Sequence, residues 1–174
     1  MGSTLIVFYS LTGNSRRLGQ LLAAQTGWPV GEVLEERPRT AGASGYLRCA
    51  VDSLFHRSPE VRYQGPEPSD FANVVLVAPI WAGRIAGPMR SFARAYGSRL
   101  QRIALLTTMG GRGGSNAVAE IGRVAGRDPV LAEVVTAQEV QDGSCAQAVE
   151  AFAKAVERSA PGEPVRPAVW SPAS

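Results

Sequence analysis

The chain has 174 residues, of which 45% are hydrophobic and 19% charged, and its formal net charge is +3. This length and composition suit one globular domain with a normal core, which excludes intrinsic disorder. The basic residues are scattered and not interleaved with aromatic residues, which excludes a nucleic-acid surface. No apolar run is long enough to span a membrane, and the amino terminus lacks the pattern of a signal peptide, so we expect a cytoplasmic protein.

Apolar runs of strand length alternate with helical patterns, which predicts an α/β fold with a parallel sheet. The predicted strands cover 4–9, 30–34, 74–80, 103–108 and 130–136. The predicted helices cover 14–26, 46–55 and 88–96, followed by one that Ser115 caps and a last one that opens on a capping box at 144–147 and runs to about Arg158. The proline-containing segment 59–69 is predicted to be a loop. We expect a domain over 1–158 and a loose tail over 159–174.

Cysteine and histidine are too sparse to suggest metal or nucleophilic chemistry. Cys49 and Cys145 lie far apart and outside any CxxC or Cys/His pattern, so both are expected to be buried free thiols. His56 is the only histidine, which argues against a zinc site and a Ser-His-Asp triad.

The segment 10–15, Ser-Leu-Thr-Gly-Asn-Ser, joins the first predicted strand to the first predicted helix. Its hydroxyls, its amide and the positive end of the helix together favour a bound anion such as a phosphate. The simpler interpretation is an ordinary turn with Asn14 or Ser15 as the helix cap. Neither the Walker pattern nor the dinucleotide pattern fits, because the turn lacks their lysine and extra glycines.

The pattern Ser-x-Thr-Gly-Asn-Ser resembles the phosphate loop of flavodoxins, which wraps the monophosphate of flavin mononucleotide (FMN). The resemblance implies a flavodoxin-like three-layer sandwich, with a five-stranded parallel sheet of order 2-1-3-4-5 and helices on both faces. It implies FMN as the cofactor. The residues it assigns to the phosphate are Ser10, Thr12, Gly13, Asn14, Ser15 and Arg16.

Two further loops should join this site at the carboxyl ends of the strands. The segment after the third strand resembles the flavin-contacting loop of the family, where a proline and an aromatic residue lie against the ring. The glycine-rich segment after the fourth strand would bring backbone amides to the edge of the ring. The expected contacts are Pro79, Ile80, Trp81, Ala82 and Gly83 from one loop, and Thr108, Met109, Gly110, Gly111 and Gly113 from the other.

The chain also departs from the family, since electron-carrier flavodoxins are typically acidic and often carry an aromatic residue in the loop after strand four. One face of the ring would be open here, or covered by Met109. Arg84 and Arg112, in the two loops nearest the ring, would favour the reduced anionic flavin unless they point into solvent.

The resemblance therefore implies an FMN-binding redox protein that passes electrons through the flavin between partner proteins. The open face favours an alternative, an oxidoreductase that takes electrons from NAD(P)H and delivers them to a quinone or similar acceptor. A flavin-free binding module with the same fold stays open, as does a homodimer. A receiver domain is excluded, because Ser10 and Pro79 occupy the positions of its acidic residues.

Overall fold

The computed structural model, which describes residues 3–36, 59–109 and 114–159, is built on one mostly parallel sheet. Its strands are β1 Thr4–Phe8, β2 Val30–Glu35, β3 Val61–Gln64, β4 Asn73–Trp81, β5 Arg84–Ile85, β6 Ile103–Met109 and β7 Leu131–Thr136. The spatial order is β3-β2-β1-β4-β6-β7, and β5 pairs with β4 outside this path. The pairs β2–β1, β1–β4, β4–β6 and β6–β7 are parallel, which confirms the predicted order 2-1-3-4-5 for the central strands.

Two short strands were not predicted, and both are antiparallel. β3 pairs with the outer side of β2, and β5 forms a hairpin with the end of β4. The prediction of a loop over 59–69 is wrong for Val61–Gln64, because the prolines of that segment fall on either side of these four residues. Proline is tolerated around an edge strand, where fewer backbone N–H groups are needed.

The helices confirm the predicted alternation of strands and helices, but two predicted helix caps are wrong. They are α1 Asn14–Thr26, α2 Gly87–Tyr96, α3 Gly114–Ala125, α4 Ala137–Asp142 and α5 Ala146–Arg158, with 3₁₀ turns at Pro68–Asp70 and Gly97–Arg99. Ser115 lies inside α3 and not before it. Cys145 precedes α5 and makes no side-chain cap; the capping box instead joins Thr136 and Glu139 at the start of α4. Thr136 is the last residue of β7, so its backbone is extended as a cap requires.

Several predictions fall outside the described residues: the helix over 46–55, Cys49, His56 and the tail beyond residue 159. Cys145 is a buried free thiol, as predicted, and burial raises its pKa. Within the described ranges, no helix is long and apolar enough to cross a membrane.

Alternating side chains of the sheet build two cores, one on each face. Leu5 and Val7 belong to the core that includes α2 and α3, whereas Ile6 and Phe8 belong to the core that includes α1 and α5. All of these are at most 5% exposed. Helices therefore cover both faces of the sheet, which gives the predicted three layers.

An aromatic cluster closes the edge of the sheet beside β3. The ring of Tyr63 lies 5.2 Å from that of Phe92 and 5.7 Å from that of Tyr96. Burial, with smaller contributions from Tyr96 and Glu67, raises the pKa of Tyr63 to about 12. The phenol therefore stays protonated at neutral pH and donates a hydrogen bond to the Pro66 carbonyl at 2.8 Å.

The surroundings of two buried glycines predict opposite effects of an alanine substitution on stability, and one of the two lies against this cluster. A Cβ atom at Gly31 would lie 2.1 Å from the Tyr63 hydroxyl, so Gly31→Ala must displace the packed ring. We expect a loss of about 1–3 kcal/mol in the free energy of unfolding, the usual cost of overpacking. Urea denaturation of the purified variant measures it.

Gly19→Ala is the matched control. A Cβ atom there would meet Phe8 at 3.5 Å, an ordinary contact inside α1. We expect this variant to gain roughly 0.5–1 kcal/mol, because alanine is the better helix former. Equal stability of the two variants would contradict the packing described for Tyr63.

Candidate functional site

The amino end of α1 lies directly beyond β1 and has no side-chain cap. The residue at the cap position is Gly13, which has a φ of 96° and no side chain with which to accept a hydrogen bond. Its own N–H donates to the Ser10 hydroxyl at 3.0 Å. The first backbone N–H groups of a helix have no partner within it, so those that follow Gly13 are directed outward. The first turn of α1 carries no acidic residue. The interpretation of Asn14 or Ser15 as an ordinary cap is therefore wrong.

A buried hydrogen bond joins this loop to the end of β6. The hydroxyls of Ser15 and Thr108 lie 2.9 Å apart, and the two residues are 2% and 4% exposed. The sequence predicts these two residues in separate loops, and the structure brings them together. Thr12 is exposed, while Ser10 and Asn14 are partly exposed. Asn14 Oδ1 accepts a hydrogen bond from Gln141 Nε2 at 3.4 Å.

The predicted loop after β4 is a tight hairpin. Trp81 pairs with Arg84 across a turn of two residues, Ala82 and Gly83, whose φ angles are 49° and 74°. Positive φ at both central positions is typical of the type I′ turn that joins antiparallel strands. The Ala86 N–H donates to the Pro79 carbonyl at 3.0 Å and closes the other end of the hairpin. Ala82 is the one described non-glycine residue with a positive φ.

Trp81 is partly exposed at the tip of this hairpin, and Tyr9 supports its indole. The two ring centroids lie 5.9 Å apart at an interplanar angle of 85°, an edge-to-face contact. The Tyr9 hydroxyl donates to Glu35 Oε1 at 2.5 Å. The sequence pattern indicates for Tyr9 only a place at the end of the first predicted strand. The signal that could have identified it is a hydroxylated aromatic at the last position before the phosphate-loop pattern.

The third predicted loop is described only in part. Met109 ends β6 opposite Ile80, and each of these side chains is 7% exposed within the core. A Met109 side chain packed in the core argues against its covering the face of a ring. Gly110, Gly111, Arg112 and Gly113 lie outside the described residues.

The two described arginines of the predicted site are held by carboxylates. The Arg16 guanidinium donates to Glu32 Oε1. Arg84 Nη1 donates to Glu120 Oε1 at 3.2 Å, so its charge is partly compensated and it does not simply point into solvent. Glu120 was not identified from the sequence, although a carboxylate between Ala117 and Ile121 on the apolar face of α3 was a usable signal.

The described part of the site offers hydroxyls, amides and aromatic surface. The described ranges contain no group of three or more His, Cys, Asp or Glu side chains that could hold a metal ion.

Three solved structures that align with this chain are flavoproteins. The flavoprotein of Lactobacillus acidophilus NCFM, solved with FMN, aligns with a TM-score of 0.67 and 19% identity over 83% of this chain and 99% of its own. A candidate flavoprotein of Bacteroides uniformis ATCC 8492 aligns with a TM-score of 0.73 and 19% identity over 88% and 98%. The flavodoxin of Fusobacterium nucleatum, bound to FMN, aligns with a TM-score of 0.56 and 9% identity over 91% and 98%.

These alignments show that the chain has the flavodoxin-like fold. No protein-family model and no curated protein matches its sequence. The assignment of the fold therefore rests on the strand order and on the structural alignments.

The hairpin geometry makes a prediction about stability. The variant Ala82→Asn should raise the free energy of unfolding by up to about 1 kcal/mol, because Asn-Gly adopts the left-handed turn with less strain than Ala-Gly. The same change at Ala151, exposed within α5, should lower it by roughly 0.5 kcal/mol. Thermal denaturation followed by circular dichroism compares the two. A destabilised Ala82→Asn protein would contradict the turn conformation described here.

Proposed function

We propose that the chain binds FMN at the carboxyl ends of β1, β4 and β6 and acts as a redox protein through the bound flavin. The observation that carries the proposal is the amino end of α1, where the cap position is Gly13 in a left-handed conformation and no side chain caps the helix. In a doubly wound sheet, the crevice between β1 and β4 is where ligands bind.

The chemistry of the first loop fits a phosphate dianion. Ser10, Thr12 and Asn14 supply hydroxyl and amide donors, and the helix end adds backbone donors and a partial positive charge. The first turn of α1 contains no carboxylate that would repel the dianion. The Ser15–Thr108 hydrogen bond joins the start of α1 to the end of β6 and so holds the phosphate loop against that strand.

The hairpin fits the flavin ring. Trp81 presents a partly exposed indole, and its edge-to-face contact with Tyr9 restricts its orientation before any ligand binds. Stacking on such a ring contributes about 0.5–1.5 kcal/mol beyond area burial. Gly83 lets the backbone of the turn approach a ligand closely.

When bound, the flavin would supply the one- and two-electron chemistry, while the residues of the chain bind it, orient it and tune its surroundings. The FMN in the Lactobacillus acidophilus and Fusobacterium nucleatum structures supports this assignment. The first candidate role is electron transfer between redox partner proteins.

A second candidate role is an NAD(P)H-dependent reductase of quinones or similar acceptors. The sequence from Gly110 to Ser115 contains no aromatic residue, which would leave one face of the ring accessible to a small donor. Anaerobic mixing of the FMN-loaded protein with NADPH distinguishes the two roles. Rapid bleaching of the flavin absorbance would favour the reductase, and bleaching only with a reduced partner protein would favour the carrier.

Comparing FMN with riboflavin tests the phosphate loop directly. Thr12→Ala and Asn14→Ala should each weaken FMN binding by roughly tenfold or more, as expected when a hydrogen bond to a charged group is lost. Riboflavin, which has no phosphate, should bind both variants as it binds the unmodified protein. Quenching of flavin fluorescence measures both affinities.

Ser98→Ala is the control, because Ser98 is an exposed hydroxyl in the 3₁₀ turn that precedes β6, at the opposite edge of the sheet. It should leave FMN affinity unchanged. Saturable FMN binding that is indifferent to Thr12 and Asn14 would place the phosphate elsewhere. No binding of FMN by the unmodified protein would refute the proposed function.

A further inference from the structure

Glu120 of α3 is a buried carboxylate that binds the hairpin carrying Trp81. It is 4% exposed. Its Oε2 accepts a hydrogen bond from the Ile85 backbone N–H at 3.2 Å, and its Oε1 accepts one from Arg84 Nη1 at 3.2 Å. Arg90 of α2, which is 2% exposed, also donates to Oε1 at 3.2 Å. Three donors from two separate elements therefore converge on one side chain.

The hydrogen bond to Ile85 is made on the open side of β5. This strand pairs only with β4 among the described strands, and the Ala86 N–H already serves that pairing through Pro79. Neighbouring backbone N–H groups of a strand point to opposite sides, so the Ile85 N–H faces away from β4 and needs another acceptor. Glu120 is that acceptor. Without it, a buried donor would be left unpaired.

The hairpin needs such an anchor because it is short and strained. β5 consists of two residues, and Ala82 at its tip has a φ of 49°. Isolated two-stranded hairpins are marginally stable at best. A non-glycine residue in the left-handed region persists only where its surroundings hold it. The carboxylate of Glu120 supplies charge-assisted contacts to Arg84 and Ile85, directly after the turn.

We propose that Glu120 is a positioning residue for the flavin site. It holds β5 and thereby keeps Trp81 in the orientation that receives the flavin ring. This inference rests on the proposed function for its ligand, whereas the anchoring of the hairpin does not depend on any ligand.

Amide hydrogen exchange of the flavin-free protein tests the anchor. In Glu120→Ala, we expect the Ile85 and Ala86 amides to exchange roughly tenfold faster or more, in line with loss of a hydrogen bond to a charged acceptor. The amides of β1 should keep their protection. Glu120→Gln keeps an acceptor oxygen for the Ile85 N–H and should give a smaller increase. If Glu120→Ala does not fold, Glu120→Gln decides the test by the same comparison of hairpin with β1.

Glu133→Ala serves as the matched control. Glu133 is a partly buried carboxylate on β7, and burial raises its pKa, but it belongs to a strand that does not pair with β4 or β5. In the Glu133→Ala protein, the amides of the β4–β5 hairpin should exchange as they do in the unmodified protein. Uniformly faster exchange throughout Glu120→Ala, or no change at the hairpin, would overturn the anchoring role and leave Glu120 as an ordinary buried ion pair.

FMN titration then tests the positioning role. Glu120→Ala should weaken binding of FMN and of riboflavin by a similar factor, since the hairpin contacts the ring and not the phosphate. Thr12→Ala, in contrast, should weaken FMN alone. Selective loosening of the hairpin with unchanged flavin affinity would overturn the positioning role. If the unmodified protein binds neither flavin, the proposed function fails and the positioning role fails with it, while faster exchange at Ile85 would still identify the anchor.

Discussion

Parallel pairing of β1, β4 and β6 is the constraint on which the rest of this structure depends. Val7 lies opposite Leu76 and Leu76 opposite Leu105, so the three strands end at the same edge of the sheet. The segments that follow them must then meet, although they are far apart along the chain. Antiparallel pairing of any one strand would send its loop to the opposite edge. Burial of the strands between helices on both faces favours this arrangement.

Side-chain contacts join the elements that meet at this edge of the sheet. The Ser15–Thr108 bond ties α1 to β6, the Tyr9–Trp81 contact ties β1 to the hairpin, and Glu120 ties the hairpin to α3. Because buried polar groups are costly when unpaired, such contacts hold the loops in one arrangement. The amino end of α1 differs, since its cap position provides no side-chain acceptor. The backbone N–H groups at this helix end are therefore left to other acceptors.

The sequence predicts the parallel core because long apolar runs and helical periodicity are local signals. α1 was predicted with the bounds that the structure has. β3 was not predicted because the prolines on either side of its four residues are typical of a loop. β5 was not predicted because a strand of two residues is too short to show a periodic pattern. Ser15 and Thr108 were both predicted to belong to the site. The hydrogen bond between them joins residues 93 positions apart, so no local sequence pattern predicts it. The contacts of Tyr9 and Glu120 depend on such distant partners. The flavin contacts of all the predicted site residues stay predictions.

The central claim is that the ends of β1, β4 and β6 form one flavin site. The most direct test is a backbone nuclear magnetic resonance titration of the isotope-labelled protein with FMN. The account predicts that the amide signals of Gly13 to Ser15 and of Trp81 to Gly83 shift together at one saturating FMN concentration. Shifts confined to the opposite edge of the sheet, around Gly97 to Leu100, or the absence of any shift, would contradict it.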